Sequence, residues 1–255
     1  MSTKKSEIQV LIYENYNRLC DELVRKILGI SKKAIRENGL FNMALAGGAT
    51  PKGLYLRMSD STYRNEFQWP QMHFFWGDER WVSPDHLRSN YRMAAEALLT
   101  KVDLPVENIH HIITKEGDPD ASADRYEREL MLHFGLREGE FPKFDLMLLG
   151  LGQDGHIASL FPGDSALHEL KHLVLPVIDQ DLEEPRVTLT LPVINYANHI
   201  IFMASGIEKS HAVQMVLEPE EGSPVLPAQM IYPEHGTLAW YVDRSAASNL
   251  KKIQK

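Results

Sequence analysis

An aspartate and a histidine stand two residues apart in a glycine-rich segment, at Asp154 and His156. A carboxylate beside an imidazole can fix the tautomer of the ring and raise its basicity, which suits general-base chemistry. The apolar run Leu146–Leu149 comes just before and is typical of a short parallel strand buried on both faces. Ligands of open α/β sheets bind at the carboxyl ends of strands, so we expect the pair to lie at a ligand site.

The glycines at positions 150, 152 and 155 also fit the Gly-x-Gly-x-x-Gly pattern of dinucleotide-binding loops, and Asp179 lies at a distance suited to a ribose. That pattern requires a helix that opens on the third glycine, whereas Pro162 interrupts the segment soon after it. Asp154 would also place a negative charge close to a pyrophosphate. A dinucleotide site is therefore disfavoured, and a glycine-rich turn with a surface histidine is the other alternative.

A second glycine turn ends the predicted strand 41–46 and precedes a predicted helix, residues 52–58. A strand, a tight turn and a helix N-terminus together present backbone N–H groups to a phosphate. The turn lacks the Gly-Lys-Ser/Thr ending of a Walker loop, and a plain strand-to-helix turn is the alternative. The residues of this candidate phosphate turn are Gly47, Gly48, Ala49 and Thr50.

Asp78, Glu79 and Arg80 stand between two tryptophans after the predicted strand 72–76. A solvated charge run is the usual explanation of such residues, but three charges at the carboxyl end of a strand favour a binding site. Asn90 follows at the predicted start of a helix.

Two further cations are candidates for binding an anion. Arg186 begins an alternating segment, residues 186–191, that is typical of a strand. Lys209 falls in the first turn of a predicted helix, where a cation opposes the helix dipole. That position favours a ligand for a bound anion, and a simple exposed lysine is the alternative.

The pattern His-Glu-x-x-His at residues 168–172 formally matches that of zinc proteases. A zinc site of that kind requires both histidines on one long helix and a third ligand downstream, whereas His172 runs into the predicted strand 173–178. We therefore interpret these histidines as surface loop residues and predict no metal site.

The composition is that of a globular chain. With 255 residues, 44% of them hydrophobic, and no linker-like segment, it is expected to form a single α/β domain, residues 1–255. A net charge of −8 argues against a nucleic-acid partner. No apolar run approaches the roughly 18 residues of a membrane span, and a signal-peptide core is lacking. We therefore expect no membrane partner. Because Cys20 is the only cysteine, we also expect a cytoplasmic protein.

Strand-like and helix-like patterns alternate along the chain, which indicates an α/β fold. The predicted strands are residues 8–12, 41–46, 72–76, 109–113, 146–149, 173–178, 186–191, 199–204 and 237–242. The predicted helices are residues 15–37, 52–58, 89–99, 118–134, 192–197, the segment that includes Lys209, and 245–253.

Four of the segments named above occur together in an order that resembles the 6-phosphogluconolactonase family, part of a superfamily with glucosamine-6-phosphate deaminase/isomerase. The resemblance spans nearly the whole chain, and its segments are 45–51 (Leu-Ala-Gly-Gly-Ala-Thr-Pro), 75–82 with 89–91, 150–163, and 186–190 with 206–209. It implies a Rossmann-like three-layer α/β sandwich with a mainly parallel central sheet.

The activity that the resemblance implies is hydrolysis of 6-phospho-D-glucono-1,5-lactone to 6-phosphogluconate, the second step of the oxidative pentose phosphate pathway, by a carboxylic ester hydrolase. It implies no cofactor and no metal. The partner would be the small sugar-phosphate lactone, bound by a monomer or a small homo-oligomer.

Departures from the superfamily patterns bear on the choice of reaction. Deaminase/isomerases carry Phe-Asn-Glu-Pro after the Asp-Gly-His motif, whereas residues 159–162 are Ser-Leu-Phe-Pro, so Phe161 replaces the glutamate of ring-opening chemistry. Arg80 also stands where isomerases tend to have tyrosine. Both substitutions favour the lactonase. Ala49 is a departure that does not favour the lactonase, because the phosphate turn of the family is commonly Gly-Gly-Ser-Thr-Pro and Ala49 lacks the serine hydroxyl.

The isomerase/deaminase therefore stays an alternative, as does a sugar-phosphate-sensing domain of the kind joined to a DNA-binding segment. Only about seven residues precede the first predicted strand, too few for a helix-turn-helix, and the net charge also argues against the second alternative.

For lactone hydrolysis we expect His156 to act as the general base on water, oriented by Asp154. Arg80, or backbone N–H groups of residues 152–155, would receive the oxyanion. Asp78 and Asn90 are expected to contact sugar hydroxyls or to hold Arg80 in place. The expected phosphate ligands are Arg186, Lys209 and the turn Gly47, Gly48, Ala49 and Thr50.

Overall fold

The computed structural model describes residues 8–179, 182–233 and 235–252. Within these ranges the chain forms ten strands: β1 (Gln9–Tyr13), β2 (Phe41–Leu45), β3 (Met72–Trp76), β4 (Asp78–Arg80), β5 (Ile109–His110), β6 (Leu146–Leu149), β7 (Val174–Val177), β8 (Arg186–Leu189), β9 (His199–Ala204) and β10 (Thr237–Asp243). The same ranges contain six α-helices: α1 (Tyr16–Asn38), α2 (Ala49–Met58), α3 (Asn90–Ala97), α4 (Pro119–Phe134), α5 (Leu191–Asn195) and α6 (Ser210–Leu217).

The central sheet of the described chain has seven strands in the order β1-β10-β9-β6-β2-β3-β5. Every pair of neighbours in this sheet is parallel. All residues of β2 and β6 are buried, as expected for central strands of a sheet that helices cover on both faces. The predicted α/β fold with a mainly parallel central sheet flanked by helices is confirmed.

Local sequence signals set the ends of α1. The side chain of Asn15 accepts a hydrogen bond from the backbone N–H of Arg18, which caps the N-terminus. Gly39 ends the helix at a φ of 83°, a left-handed conformation that glycine adopts without strain. The predicted helix 15–37 is therefore confirmed to within a residue at each end.

A small second sheet packs beside the first and was only partly predicted. Its strands follow the order β4-β8-β7, and both pairings are antiparallel. β7 and β8 correspond to predicted strands, but β4 consists of three charged residues that carry no strand signal. The pairing of β4 with β8 places Arg80 directly opposite Arg186.

Other elements differ from the sequence expectation in extent. The predicted strand 109–113 is limited to β5, and α2 begins at Ala49 rather than at residue 52. Residues 244–249 form turns where a helix was predicted, because the Asp243 carboxylate accepts a hydrogen bond from the N–H of Ala246 and holds a turn. The end of that predicted helix, Ile253, lies outside the described residues.

Two alternative motifs lack the structure that they require. The glycine segment 150–155 leads into turns instead of a helix, as the proline indicated, so the dinucleotide fingerprint does not apply. His168 ends a short 3₁₀ helix, Ser165–His168, and His172 lies beyond it in the connection to β7. The two histidines therefore do not share the long helix of a zinc-protease motif.

Large aromatic side chains fill the core around the central strands. The rings of Phe202 on β9 and Trp240 on β10 are stacked, with centroids 4.0 Å apart and planes within 3°. Trp76 and Tyr55 are also fully buried. Among the described residues we find no helix whose length and apolar character would let it cross a bilayer.

Glu79 on β4 is a buried carboxylate that holds the N-terminus of α3. Its side chain is surrounded by four donors, the backbone N–H groups of Arg80 (2.8 Å), Asn90 (2.7 Å) and Tyr91 (2.7 Å) and the hydroxyl of Ser89 (3.0 Å). Burial raises the pKa of Glu79 to about 7, although the three N–H donors act against that effect. Glu79 therefore connects β4 to the first turn of α3 and takes up a proton on folding at mildly acidic pH.

This pKa predicts a pH-dependent stability that Glu79→Gln should remove. Because the folded-state pKa is raised above the unfolded value of 4.5, the folded state binds more protons between pH 4.5 and 7, so stability falls as pH rises through that window. A pKa shift of one unit corresponds to about 1.4 kcal/mol. Between pH 4.5 and 7 the free energy of unfolding of wild type should therefore fall by roughly 2–3 kcal/mol relative to that of Glu79→Gln. Urea unfolding at several pH values measures this difference.

The matched control is the exposed Glu138→Gln, whose stability should stay parallel to that of wild type across the same pH values. A difference between wild type and Glu79→Gln that is constant with pH, or that grows in favour of wild type, would contradict the assignment.

Candidate active site

A cavity of about 700 Å³ opens at the carboxyl edge of the central sheet, where β2, β3 and β6 end. This is the edge at which open α/β sheets bind ligands. The structure brings all eleven predicted site residues to the wall of this one cavity: Gly47, Gly48, Ala49, Thr50, Asp78, Arg80, Asn90, Asp154, His156, Arg186 and Lys209.

The acid and the histidine of the glycine segment form a hydrogen-bonded pair. His156 Nδ1 lies 2.6 Å from Asp154 Oδ1. Because an ionised carboxylate only accepts, this contact places the ring proton on Nδ1 and leaves the lone pair of Nε2 free to take a proton. About a third of the His156 side chain is exposed, so water can reach the ring.

The glycines of this loop are required by close approach of its own residues. A Cβ at Gly152 would lie 2.1 Å from His156 Nδ1 and 2.5 Å from Asp154 Oδ1. Gly155 has a φ of 84°, which completes the tight turn between acid and histidine. Both backbone N–H groups donate hydrogen bonds within the loop: that of Gly152 to the His156 carbonyl, and that of Gly155 to the Gly152 carbonyl.

Phe161 lies against the histidine on the cavity wall. The two ring centroids are 4.7 Å apart at an interplanar angle of 50°. The position where deaminase/isomerases carry a glutamate is therefore filled by an apolar ring in contact with the candidate base.

The candidate phosphate turn becomes the N-terminus of α2. Gly48 is its N-cap residue and has a φ of 98°, and no side chain there satisfies the first N–H groups of the helix. Such groups have no partner within a helix and attract anions. A Cβ at Gly47 would lie 2.1 Å from Asn90 Oδ1, so the first glycine allows Asn90 to approach the turn.

Asp78 and Asn90 are held by the protein on the same wall. Asp78 is 7% exposed and accepts a hydrogen bond from the Ser159 hydroxyl at 2.7 Å. The Asn90 amide donates to the Asp78 carbonyl at 2.9 Å and to its carboxylate at 3.3 Å. Arg80 is fixed elsewhere, because its Nη1 donates to the Arg88 carbonyl at 2.6 Å.

Two arginines line the cavity, and each has one buried donor atom without a hydrogen-bond partner among the described residues. The Nε atoms of Arg80 and Arg186 are buried, and neither has a hydrogen-bond partner among the described residues. Burial and the neighbouring positive charge of Arg80 lower the pKa of Arg186. Paired cations with free N–H groups form a site that an anion would stabilise.

Lys209 reaches the glycine loop but not from the position that was predicted. It ends a 3₁₀ turn, Ile207–Lys209, and precedes α6, so it is not in the first turn of that helix. Its Nζ donates to the Leu151 carbonyl at 2.8 Å. The lysine therefore brings a positive charge to the side of the cavity that holds the acid–histidine pair.

Sequence reasoning assigned no role to two residues that support the site. Glu79 positions α3 and hence Asn90, and Ser159 joins the glycine loop to Asp78. Both residues lie inside segments that carry the family resemblance, 75–82 and 150–163. The sequence carries no signal for the role of Glu79, because it lies ten residues before the predicted helix start at residue 89 and meets that helix only in the fold.

Comparison with known proteins agrees with this arrangement. The family model described as glucosamine-6-phosphate isomerases/6-phosphogluconolactonase matches residues 14–240. A curated relative from Synechocystis sp., named 6-phosphogluconolactonase, is 44% identical over 219 residues, which are 86% of this chain and 88% of the relative.

Solved structures share the fold over almost the whole chain. The 6-phosphogluconolactonase from Trypanosoma cruzi has a TM-score of 0.84 at 29% identity, covering 98% of this chain and all of that one. A monomeric glucosamine-6-phosphate deaminase has a TM-score of 0.76 at 22% identity, covering 94% and 99% of the two chains, which shows a shared fold only. The chain belongs to the family of glucosamine-6-phosphate isomerases and 6-phosphogluconolactonases.

Proposed function

We propose that the chain hydrolyses 6-phospho-D-glucono-1,5-lactone to 6-phosphogluconate, the second step of the oxidative pentose phosphate pathway. The observation that carries this proposal is the shared cavity, whose wall combines an acid–histidine pair with the cations Arg80, Arg186 and Lys209. The curated relatives named 6-phosphogluconolactonase support the same substrate.

In the proposed mechanism His156 acts as general base. Its Nε2 takes a proton from a water molecule as the water oxygen attacks C1 of the lactone, while Asp154 stabilises the ring that becomes charged. Collapse of the tetrahedral intermediate breaks the bond from C1 to the ring oxygen, which receives the proton back from His156. No covalent intermediate and no metal is needed, because a lactone is an activated ester and the water already has a base.

The oxyanion is assigned to Arg80. Of the four backbone N–H groups of residues 152–155 that are the alternative, those of Gly152 and Gly155 already donate hydrogen bonds within the loop, which leaves those of Gln153 and Asp154. Arg80 lines the same cavity as His156 and brings a guanidinium charge to its wall. A preorganised donor of this kind stabilises charge that develops in the transition state.

The phosphate is assigned to the cations on the wall and to the N-terminus of α2. Arg186 and Lys209 supply charge, and the turn 47–50 supplies backbone N–H groups. Since Ala49 has no hydroxyl, Thr50 is the hydroxyl donor of that turn. Asp78 and Asn90 are assigned to holding the wall and contacting sugar hydroxyls.

The proposal also covers the domain organisation and the cellular location of the chain. The chain is proposed to be one domain, since one continuous core cluster contacts both sheets. A cytoplasmic location is proposed because Cys20, the only cysteine, is buried as a free thiol.

Removing the base tests the reaction directly. His156→Ala is expected to lower kcat by about 10²–10⁴-fold with little change in KM, because a general base acts in the transition state. The assay generates the lactone in place and measures hydrolysis above the spontaneous rate. The exposed His211→Ala on α6 is the matched control and should keep wild-type rates.

Wild-type protein without acceleration that still binds 6-phosphogluconate would favour the sensing domain. Ammonia release from glucosamine 6-phosphate would favour the deaminase.

The phosphate assignment predicts a different kinetic signature. Arg186→Ala and Lys209→Met should mainly raise KM, by about 10–100-fold each, since a hydrogen bond to a charged group contributes roughly 1.5–3 kcal/mol. Steady-state kinetics and inhibition by 6-phosphogluconate, compared with inhibition by unphosphorylated gluconate, measure this loss. The exposed Lys171→Met serves as control. A fall in kcat at unchanged KM would reassign these residues to the oxyanion.

A further inference from the structure

Three histidines meet at the edge of the central sheet that β5 forms, outside the cavity described above. His73 lies on β3, His110 on β5 and His133 in the last turn of α4. One ring nitrogen from each lies within 4.8 Å of the other two. None of the three lines the active-site cavity.

The surroundings fix which nitrogen two of these rings can offer. His110 Nδ1 lies 2.7 Å from a carboxylate oxygen of Glu129, so Nδ1 carries the proton and Nε2 keeps its lone pair. His133 Nε2 lies 2.8 Å from Asn42 Oδ1, an acceptor, so its Nδ1 keeps the lone pair. Partners of this kind, on the ring nitrogen opposite the metal, are typical of histidine ligands.

The third ring already faces one of these lone pairs. His73 Nδ1 and His110 Nε2 are 3.0 Å apart, so in the metal-free protein His73 donates its proton to His110. If that proton moves to His73 Nε2, the ring stays neutral and Nδ1 becomes free. All three nitrogens can then act as ligands without any net loss of protons.

The distances suit a small tetrahedral ion. Zinc binds imidazole at about 2.0–2.1 Å, which places neighbouring ligand nitrogens about 3.3 Å apart. The pair at 3.0 Å is close to that value, and the His133 nitrogen, within 4.8 Å of both, would have to approach them when an ion binds. His73 and His133 are partly exposed, which leaves a path for the ion from solvent.

Aromatic side chains pack against the histidine cluster. Phe75 stacks on His110 with centroids 4.3 Å apart, and Phe134 lies 5.0 Å from His133. An apolar shell of this kind strengthens metal binding at the sheet edge.

We propose that His73, His110 and His133 bind one divalent transition-metal ion of the zinc class, with water as the fourth ligand and Glu129 orienting His110. The site is separate from the lactonase chemistry proposed above. It joins β3, β5 and the end of α4, so its effect is on stability: an ion that binds only the folded state raises the free energy of unfolding.

The test uses full-length protein without a polyhistidine tag, stripped with a chelator and then titrated with zinc chloride. Equilibrium dialysis should show one tightly bound equivalent, and thermal unfolding should shift upward with zinc. His133→Ala should lower zinc affinity at least tenfold, and Glu129→Gln by about 10–100-fold because the partner of His110 loses its negative charge. Hydrolysis by metal-free His133→Ala should match that of metal-free wild type.

Two controls separate this site from other histidines. His211→Ala and His156→Ala should both keep the tight equivalent. Cobalt(II) in place of zinc should give the intense visible absorption of a four-coordinate site in wild type, and His133→Ala should lose it. Zinc binding that survives in both His133→Ala and Glu129→Gln, or that disappears in His156→Ala, would overturn the proposal. Glu129 is half-exposed, so its variant decides the matter if His133→Ala does not fold.

Discussion

Two consecutive buried acids on β4 hold the parts of the candidate site together. Successive side chains of a strand point to opposite sides, so Asp78 and Glu79 reach in different directions. Glu79 binds the N-terminus of α3, and Asp78 binds Ser159 of the glycine loop and the side chain of Asn90. Two segments, the start of α3 and the glycine loop, are therefore fixed to one short strand, and the position of the loop that carries His156 depends on it.

The same strand concentrates positive charge in an acidic protein. The chain carries a net charge of −8, yet Arg80 and Arg186 face each other across the β4–β8 pair, and Lys209 comes from a third segment. Placing two guanidinium groups side by side, each with a buried Nε that has no partner among the described residues, costs stability in the unliganded protein. A bound anion would offset the repulsion between the two positive charges, so the arrangement favours phosphate or an oxyanion over a neutral ligand.

Much of the fold followed from the sequence, because buried parallel strands are continuous apolar runs and glycine turns mark their ends. β2, β3 and β6 were recognised in this way, and the segments at their carboxyl ends all reach the cavity. β4 could not be recognised, since three charged residues have no strand pattern and the strand exists only through pairing with residues about a hundred positions later. The histidine cluster was missed for the same reason: residues 73, 110 and 133 have no motif spacing and meet only through sheet order and the docking of α4.

The contact of Phe161 with His156 links the sequence difference to the chemistry of the site. A carboxylate at that position would be a second acid beside the imidazole, able to exchange protons with a substrate. The phenylalanine ring cannot do so, and it packs against the histidine at a tilted angle while Asp154 occupies Nδ1. Nε2 is then the one nitrogen of His156 that remains for proton transfer. A single base that takes a proton from water and returns it to the leaving oxygen meets the needs of lactone hydrolysis, whereas isomerisation requires proton transfers at separate substrate atoms.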